Sequence, residues 1–121
     1  MNKIKLGIVG CGDIAFRSYL PAIKQMADQV ELVATCDIDI GRAERAKAEY
    51  GAQQVFADAK EMLAKADVDG VMVLTSMVPH GPLCLAALEA GKHTYVEKVM
   101  AVELAQADRM IALAESKGLI L

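Results

Sequence analysis

A length of 121 residues sets the scale of one domain, and 55% hydrophobic with 24% charged residues is typical of a compact α/β protein. The net charge of -3 and the scatter of the lysines and arginines argue against a nucleic-acid partner. No apolar run approaches the ~18 to 20 residues of a transmembrane helix. We therefore expect one soluble domain over residues 1–121, with no contact to a membrane.

The cysteines indicate the compartment. Cys11, Cys36 and Cys84 are widely spaced and form no Cys-x-x-Cys pair, so neither a zinc site nor a redox dithiol is predicted. The apolar run in the first ten residues is too short for a signal peptide and reads as a strand. Free thiols and the absence of a leader favour the reducing cytoplasm.

Six short apolar runs alternate with segments of helical periodicity from one end of the chain to the other. The predicted strands are residues 4–10, 30–36, 54–56, 70–75, 93–97 and 119–121. Several are continuously apolar, as strands covered on both faces are. Strands that alternate with helices predict a parallel, doubly wound sheet of six strands in the order 3-2-1-4-5-6.

The ends of the first three predicted helices carry recognisable signals. Pro21 lacks a backbone N–H, so a break or kink is expected near residues 19–21. Asp39 is suited to cap the second helix, which Gly51 would end. Asp58 is followed three residues later by a glutamate, which is a capping pattern for the third helix.

The last two predicted helices differ in their surroundings. The helix over residues 82–90 is apolar almost all round, so it should lie between the sheet and another element. The helix over residues 102–118 is amphipathic, with a charged face opposite an apolar one. Its predicted buried positions are Leu104, Ala107, Ile111 and Ala114.

The sequence GCGDIA at residues 10–15 joins the first strand to the first helix and matches Gly-x-Gly-x-x-Ala. Gly10 permits a tight turn, Gly12 lets the backbone approach a pyrophosphate, and Ala15 lets the helix pack closely. The helix start then faces the anion with its N–H groups. Dinucleotide binding is favoured over an ordinary strand-to-helix turn, and Cys11 reads as a small filler residue.

Asp37 follows the second strand, where an acidic side chain can accept hydrogen bonds from the adenosine ribose hydroxyls. The same carboxylate would repel the 2'-phosphate of NADP, so NAD is favoured. Two alternatives remain at this point. Asp37 or Asp39 could act only as a helix cap, and Arg42 could bind a 2'-phosphate.

Further motifs accompany the turn and the acid: VATCDID, LTSMVPH, ALEAGKHTYVEK and ALAESKG. With them the chain resembles, over nearly all its length, the N-terminal NAD-binding Rossmann domain of the Gfo/Idh/MocA family (glucose-fructose oxidoreductase and inositol dehydrogenase). The resemblance implies the cofactor half of a sugar or polyol oxidoreductase. It also implies a second domain that carries substrate-binding residues, which we expect this chain to lack.

The resemblance assigns individual roles. Its cofactor-contacting residues would be Gly10, Gly12, Asp13, Ile14, Asp37, Thr75, Ser76, His80 and Glu97. Lys98 would serve catalysis, in substrate binding or proton transfer. The simpler readings are a solvated Lys98 paired with Glu97 and a His80 that merely starts a helix.

Two positions depart from the family pattern. Ser76 and Val99 both stand where the family usually has proline. A cis peptide bond before a non-proline residue costs about 3 kcal/mol, so a trans bond is expected at Val99.

Several functions are compatible with these residues. The first hypothesis is NAD binding without turnover, and the second is an oxidoreductase that becomes active only with a partner chain or second domain. An S-adenosylmethionine-binding module and a purely structural role are minor alternatives. The apolar end, residues 119–121, predicts an exposed strand edge and hence a homo-oligomer.

Overall fold

A computed structural model describes residues 2–121 as five strands and six helical segments. The strands are β1 (Ile4–Val9), β2 (Val30–Cys36), β3 (Gln54–Phe56), β4 (Gly70–Val73) and β5 (His93–Val96). The helices are a π-helical segment (Ala15–Tyr19), α1 (Leu20–Gln25), α2 (Ile40–Tyr50), α3 (Ala59–Lys65), α4 (His80–Glu89) and α5 (Leu104–Lys117).

All strand pairs are parallel, and the sheet order is β3-β2-β1-β4-β5. The doubly wound parallel fold is therefore confirmed. In register, Val9 pairs with both Cys36 and Val73, so the three central strands end at one level. The loops that follow them consequently meet at a single edge of the sheet.

The prediction of a sixth strand is wrong for the described residues. The segment 119–121 lies beside β5, where Ile120 O accepts from Thr94 N at 2.9 Å. Its own N–H donates to the His93 side chain, Nδ1, at 3.0 Å instead of to the β5 backbone. One backbone hydrogen bond does not make a ladder, which needs successive residues in pleated pairing.

The two faces of the sheet have separate cores. The π-helical segment, α1 and α2 cover one face around Ile8, Leu20 and Ala43. The other face is covered by α3, α4 and α5 around Val73 and Leu88. Alternate residues of each strand point to opposite faces, and this supplies apolar side chains to both layers.

Three helix ends follow the predictions and one differs. The Asp39 and Asp58 side chains accept from backbone N–H groups at 3.1 and 3.3 Å, and Gly51 ends α2 with φ of +78°. Near Pro21 the helix does not break. It changes from a π-helical to an α-helical pattern at Leu20, whose N–H donates to Ala15 O.

The buried face of α5 is also partly mispredicted. Leu104 is 84% exposed and Ile111 is 46% exposed, whereas Met110 and Ala114 are buried. The helix packs on α4 at the edge of the sheet, and Ile111 turns toward an open groove beside β5. No helix in residues 2–121 has the length and apolar character needed to cross a bilayer.

Candidate functional site

The loops after β1, β2 and β4 surround a cleft of about 560 Å³ at the carboxyl edge of the sheet. This edge lies at the point where the strand order reverses, between β1 and β4, which is where ligands of doubly wound sheets bind. The predicted site residues that line it are Gly10, Gly12, Asp13, Ile14, Asp37, Thr75 and Ser76. The structure thus brings together seven residues taken from three separate loops.

The two glycines of the turn, Gly10 and Gly12, meet different requirements. Gly10 has φ of +100°, and a Cβ there would lie 2.6 Å from both Leu74 C and Thr75 N. Its N–H donates to Cys36 O at 2.8 Å. A Cβ on Gly12 would meet only Arg42 Nη1, at 4.0 Å. Gly10 is therefore required by the fold, whereas Gly12 leaves open space in the cleft.

Asp37 links the glycine turn to the loop after β2. It is only 9% exposed; Oδ2 accepts from Cys11 N and Oδ1 from Asp39 N, both at 2.8 Å. Each carboxylate oxygen can still accept a further hydrogen bond from a ligand in the cleft. The sequence predicted the ligand-facing role of Asp37 but missed its part in holding the turn.

Cys11 lies inside the turn and is almost fully buried. Burial, together with the neighbouring charge of Asp37, raises the pKa of the Cys11 thiol to about 12. The thiol consequently stays protonated and unreactive at neutral pH. Its environment agrees with the reading of Cys11 as a filler residue.

A second cavity of about 370 Å³ adjoins Gly12 and is lined by three arginines, Arg17, Arg42 and Arg45, which the sequence reading largely missed. Arg17 pairs with Asp13 at 3.2 Å and Arg42 with Asp39 at 3.8 Å. Every one of the three has an acidic neighbour on its own helix or cap, because Arg45 also pairs with Glu49. The local charge is therefore close to balanced.

His80 lies at the start of α4 and is completely buried. Its Nδ1 lies 2.6 Å from Val99 O and its Nε2 lies 2.9 Å from Thr75 O. Carbonyl oxygens only accept, so a neutral ring donates to one of them and a protonated ring to both. His80 is thus placed behind the cleft lining, where it ties the Thr75 loop to the Val99 loop.

The segment after β5 differs from expectation. The Lys98–Val99 peptide bond is cis, so the expectation of a trans bond is wrong. That expectation rested on the general preference of non-proline residues and could not include the contact of Val99 O with His80. Lys98 is exposed, and among residues 2–121 no carboxylate lies within 4.0 Å of its Nζ.

Glu97 is half-buried at the end of β5, where its N–H donates to Val73 O at 3.1 Å. Its carboxylate accepts from the hydroxyl of Tyr19, and that hydroxyl also lies 2.7 Å from the Tyr95 hydroxyl. Glu97 is therefore paired with Tyr19 and not with Lys98. Sequence reasoning missed both tyrosines, since no local pattern joins positions so far apart in the chain.

Among the described residues no group of three or more His, Cys, Asp or Glu side chains could hold a metal ion. The site is instead a glycine turn, an acid after β2 and a cleft at the strand-order reversal. Together with the parallel sheet, these features define a Rossmann domain that binds a dinucleotide.

The family model GFO_IDH_MocA, described as "Oxidoreductase family, NAD-binding Rossmann fold", matches residues 4–121, and the chain belongs to this family. It is an NAD(P)-binding Rossmann domain of the Gfo/Idh/MocA oxidoreductases.

Two curated relatives show the range of the family. A dTDP-3,4-didehydro-2,6-dideoxy-alpha-D-glucose 3-reductase of Actinomadura kijaniata is 36% identical over 99% of this chain and 36% of its own length. An inositol 2-dehydrogenase of Salmonella typhimurium is 34% identical over 95% of this chain and 34% of its own length. The chain thus spans about a third of the length of these relatives.

Two solved structures are closely similar in fold. The WlbA dehydrogenase of Bordetella pertussis, in complex with NADH and UDP-GlcNAcA, has a TM-score of 0.91 at 32% identity, over 98% of this chain and 36% of that one. KijD10, a 3-ketoreductase of Actinomadura kijaniata in complex with NADP and TDP-benzene, has a TM-score of 0.91 at 36% identity, over 99% and 36%. One neighbour holds NADH and the other NADP.

The two glycines should respond differently to alanine. Gly10→Ala should lower the free energy of unfolding by about 2–5 kcal/mol, because it combines an unfavourable φ with a backbone clash. Gly12→Ala should change it by no more than about 0.5 kcal/mol, since its Cβ meets open space. Urea denaturation of both variants measures the difference, and equal losses would contradict the distinction.

Proposed function

We propose that this chain binds NAD in the 560 Å³ cleft and does not turn over a substrate on its own. The observation that supports NAD binding most directly is the open space at Gly12 beside Asp37, inside one cleft. Neighbouring structures with bound NADH and NADP support a nicotinamide cofactor over S-adenosylmethionine.

Each part of the cleft has a proposed role. The pyrophosphate lies against the turn from Gly10 to Ile14, where backbone N–H groups and the helix dipole favour an anion. Asp37 accepts from the adenosine ribose hydroxyls. Thr75 and Ser76 line the path toward the nicotinamide, and Glu97 contacts its ribose. His80 supports both of these loops from behind.

The preference for NAD rests on charge at the adenosine end. Asp37 is buried with its carboxylate at the cleft, where a 2'-phosphate would meet a like charge. Ile38, the next residue, is 96% exposed and has no donor for a phosphate. Arg42 is the nearest candidate to offset that repulsion, but it faces Asp39 at 3.8 Å.

Turnover requires more groups than the described residues place near the nicotinamide. Hydride transfer needs a substrate carbon held near the cofactor and a positioned acid or base. Lys98 is the proposed catalytic residue, and it is exposed without an ionic partner among residues 2–121.

The second candidate function is therefore an oxidoreductase completed by a partner chain or a further domain, as the greater length of the relatives supports. Steady NADH formation by the chain alone with a panel of polyols would contradict binding without turnover and would favour a site completed by a second copy of the chain.

Calorimetry with NAD, NADP and S-adenosylmethionine tests the cofactor proposal. We expect NAD to bind more tightly than NADP and S-adenosylmethionine not to bind. No heat with any of the three at millimolar concentration would refute dinucleotide binding. Gly12→Ala is the matched variant, since it should keep the fold and block the pyrophosphate.

Asp37→Ala should weaken NAD binding more than NADP binding. The variant loses an acceptor for the ribose hydroxyls, but with NADP it also removes a repulsion. Asp37→Asn is the matched control, since it keeps one oxygen to accept from Cys11 N while removing the charge. Equal losses for the two cofactors, measured by calorimetry, would mean that Asp37 acts only on the turn.

The apolar surface beside β5 supports self-association, and the free thiols support a reducing, cytoplasmic setting. An apolar groove of about 800 Å³ follows this edge and includes Ile111, Ile120 and Leu121. The three cysteines are buried and free, as they would be in a reducing compartment. We expect a homodimer or larger assembly in analytical sedimentation. A single monomeric species at high concentration would contradict it.

A further inference from the structure

Tyr19, Tyr95 and Glu97 form a polar cluster at the end of β5, and of the three only Glu97 has a role in the proposed function. Tyr19 ends the π-helical segment, while Tyr95 and Glu97 are two residues apart and share one face of the sheet. The Tyr19 hydroxyl contacts the Glu97 carboxylate and lies 2.7 Å from the Tyr95 hydroxyl. The two rings meet edge to face, with centroids 5.5 Å apart.

The direction of these hydrogen bonds follows from the groups themselves. A carboxylate only accepts, so the single proton of Tyr19 is donated to Glu97. The contact between the hydroxyls must then be donated by Tyr95 to the Tyr19 oxygen. Loss of contact with water and the bond to Glu97 raise the pKa of Tyr19, so its hydroxyl remains a donor. The cluster is a one-way chain from Tyr95 through Tyr19 to Glu97.

We propose that Tyr19 is a positioning residue for the nicotinamide half of the cofactor, holding the Glu97 carboxylate in the orientation that meets the nicotinamide ribose. The inference rests on the proposed function, in which Glu97 contacts that ribose. Since one carboxylate oxygen is held by Tyr19, the other is left to accept from a ribose hydroxyl.

The physical benefit is preorganisation. A glutamate side chain at the end of a strand samples several rotamers, and ordering it on binding costs conformational entropy. Tyr19 removes part of that cost before the cofactor arrives. Tyr19 also belongs to the helical segment that begins at the glycine turn, so the element that faces the pyrophosphate also orients Glu97.

The test compares NAD with ADP on the full chain by calorimetry. ADP ends at the pyrophosphate and lacks the second ribose, so it reports only on the other half of the cleft. Tyr19→Phe should weaken NAD binding about fivefold to tenfold, because part of the ordering cost of Glu97 returns on binding, and leave ADP binding unchanged. Tyr50→Phe removes the same atom from a half-buried ring outside the cluster and should change neither affinity.

A double-mutant cycle separates positioning from a structural effect. If Tyr19 acts through Glu97, Tyr19→Phe should cost nothing further in a Glu97→Ala background. Equal losses in both backgrounds, or a loss of ADP binding as large as that of NAD, would overturn the inference. Should Tyr19→Phe unfold, Tyr95→Phe takes its place, with a smaller loss expected for NAD only, and no such loss would overturn the inference too.

The calorimetric results distinguish failure of the proposed cofactor binding from failure of the positioning role of Tyr19. If the unmodified chain binds neither NAD nor ADP, the proposed function fails and this inference falls with it. If the unmodified chain binds both, and Tyr19→Phe binds NAD as tightly as the unmodified chain does, only the positioning role of Tyr19 is overturned.

Discussion

The close approach of Gly10 to β4 is the constraint on which both the sheet and the cleft depend. Gly10 N donates to Cys36 O at 2.8 Å on one side, and the Gly10 α-carbon faces the Leu74–Thr75 peptide on the other. Only a residue without Cβ fits between two strand ends that are already joined to β1 by their ladders. The turn that Gly10 permits places Gly12 on the cleft at the strand-order reversal, so the fold and the site share one requirement.

Asp37 in the cleft and Glu97 at the end of β5 are both carboxylates that the protein holds in place, but by different means. Asp37 accepts from two backbone N–H groups of nearby loops. Glu97 accepts from a side chain, Tyr19, of another element. Hydrogen bonds to charged groups contribute about 1.5–3 kcal/mol each, enough to fix a side chain before a ligand binds. In the proposed function, a bound cofactor would meet a preordered acceptor at each of its two riboses.

The difference between these two carboxylates shows which features the sequence could reveal. The caps at Asp39 and Asp58 depend on neighbours two residues away, so a linear pattern predicts them. The glycine turn and Asp37 are recognisable because each directly follows a strand, although the bond between Asp37 and Cys11 joins residues 26 apart. The partner of Glu97 lies 78 residues away, and the cis bond at Lys98–Val99 accompanies a contact from His80, 19 residues away. Such contacts form only once the strands have taken their places in the sheet, so the conformational propensities of local segments do not predict them.

The same reasoning accounts for the errors in the fold. Strand type follows from apolar runs, and the parallel order follows from helices between them. Whether the run at residues 119–121 becomes a strand depends instead on how its backbone is aligned beside β5. One of its N–H groups is directed to the His93 side chain. Likewise the periodicity of α5 predicts one apolar face, but its rotation depends on packing against α4, which leaves Ile111 outside the core.

His80 joins the cofactor side of the site to the segment that carries Lys98. One ring nitrogen faces Thr75 O in the loop that lines the cleft, and the other faces Val99 O immediately after Lys98. Because the ring is fully buried, neither contact can be replaced by water without moving a loop. The backbone position of Lys98 is therefore set from within the cofactor-binding part of the fold. His80 therefore holds both the Thr75 loop and the backbone beside Lys98, so a substrate-binding group that faced the nicotinamide would meet a lysine whose backbone position is already fixed.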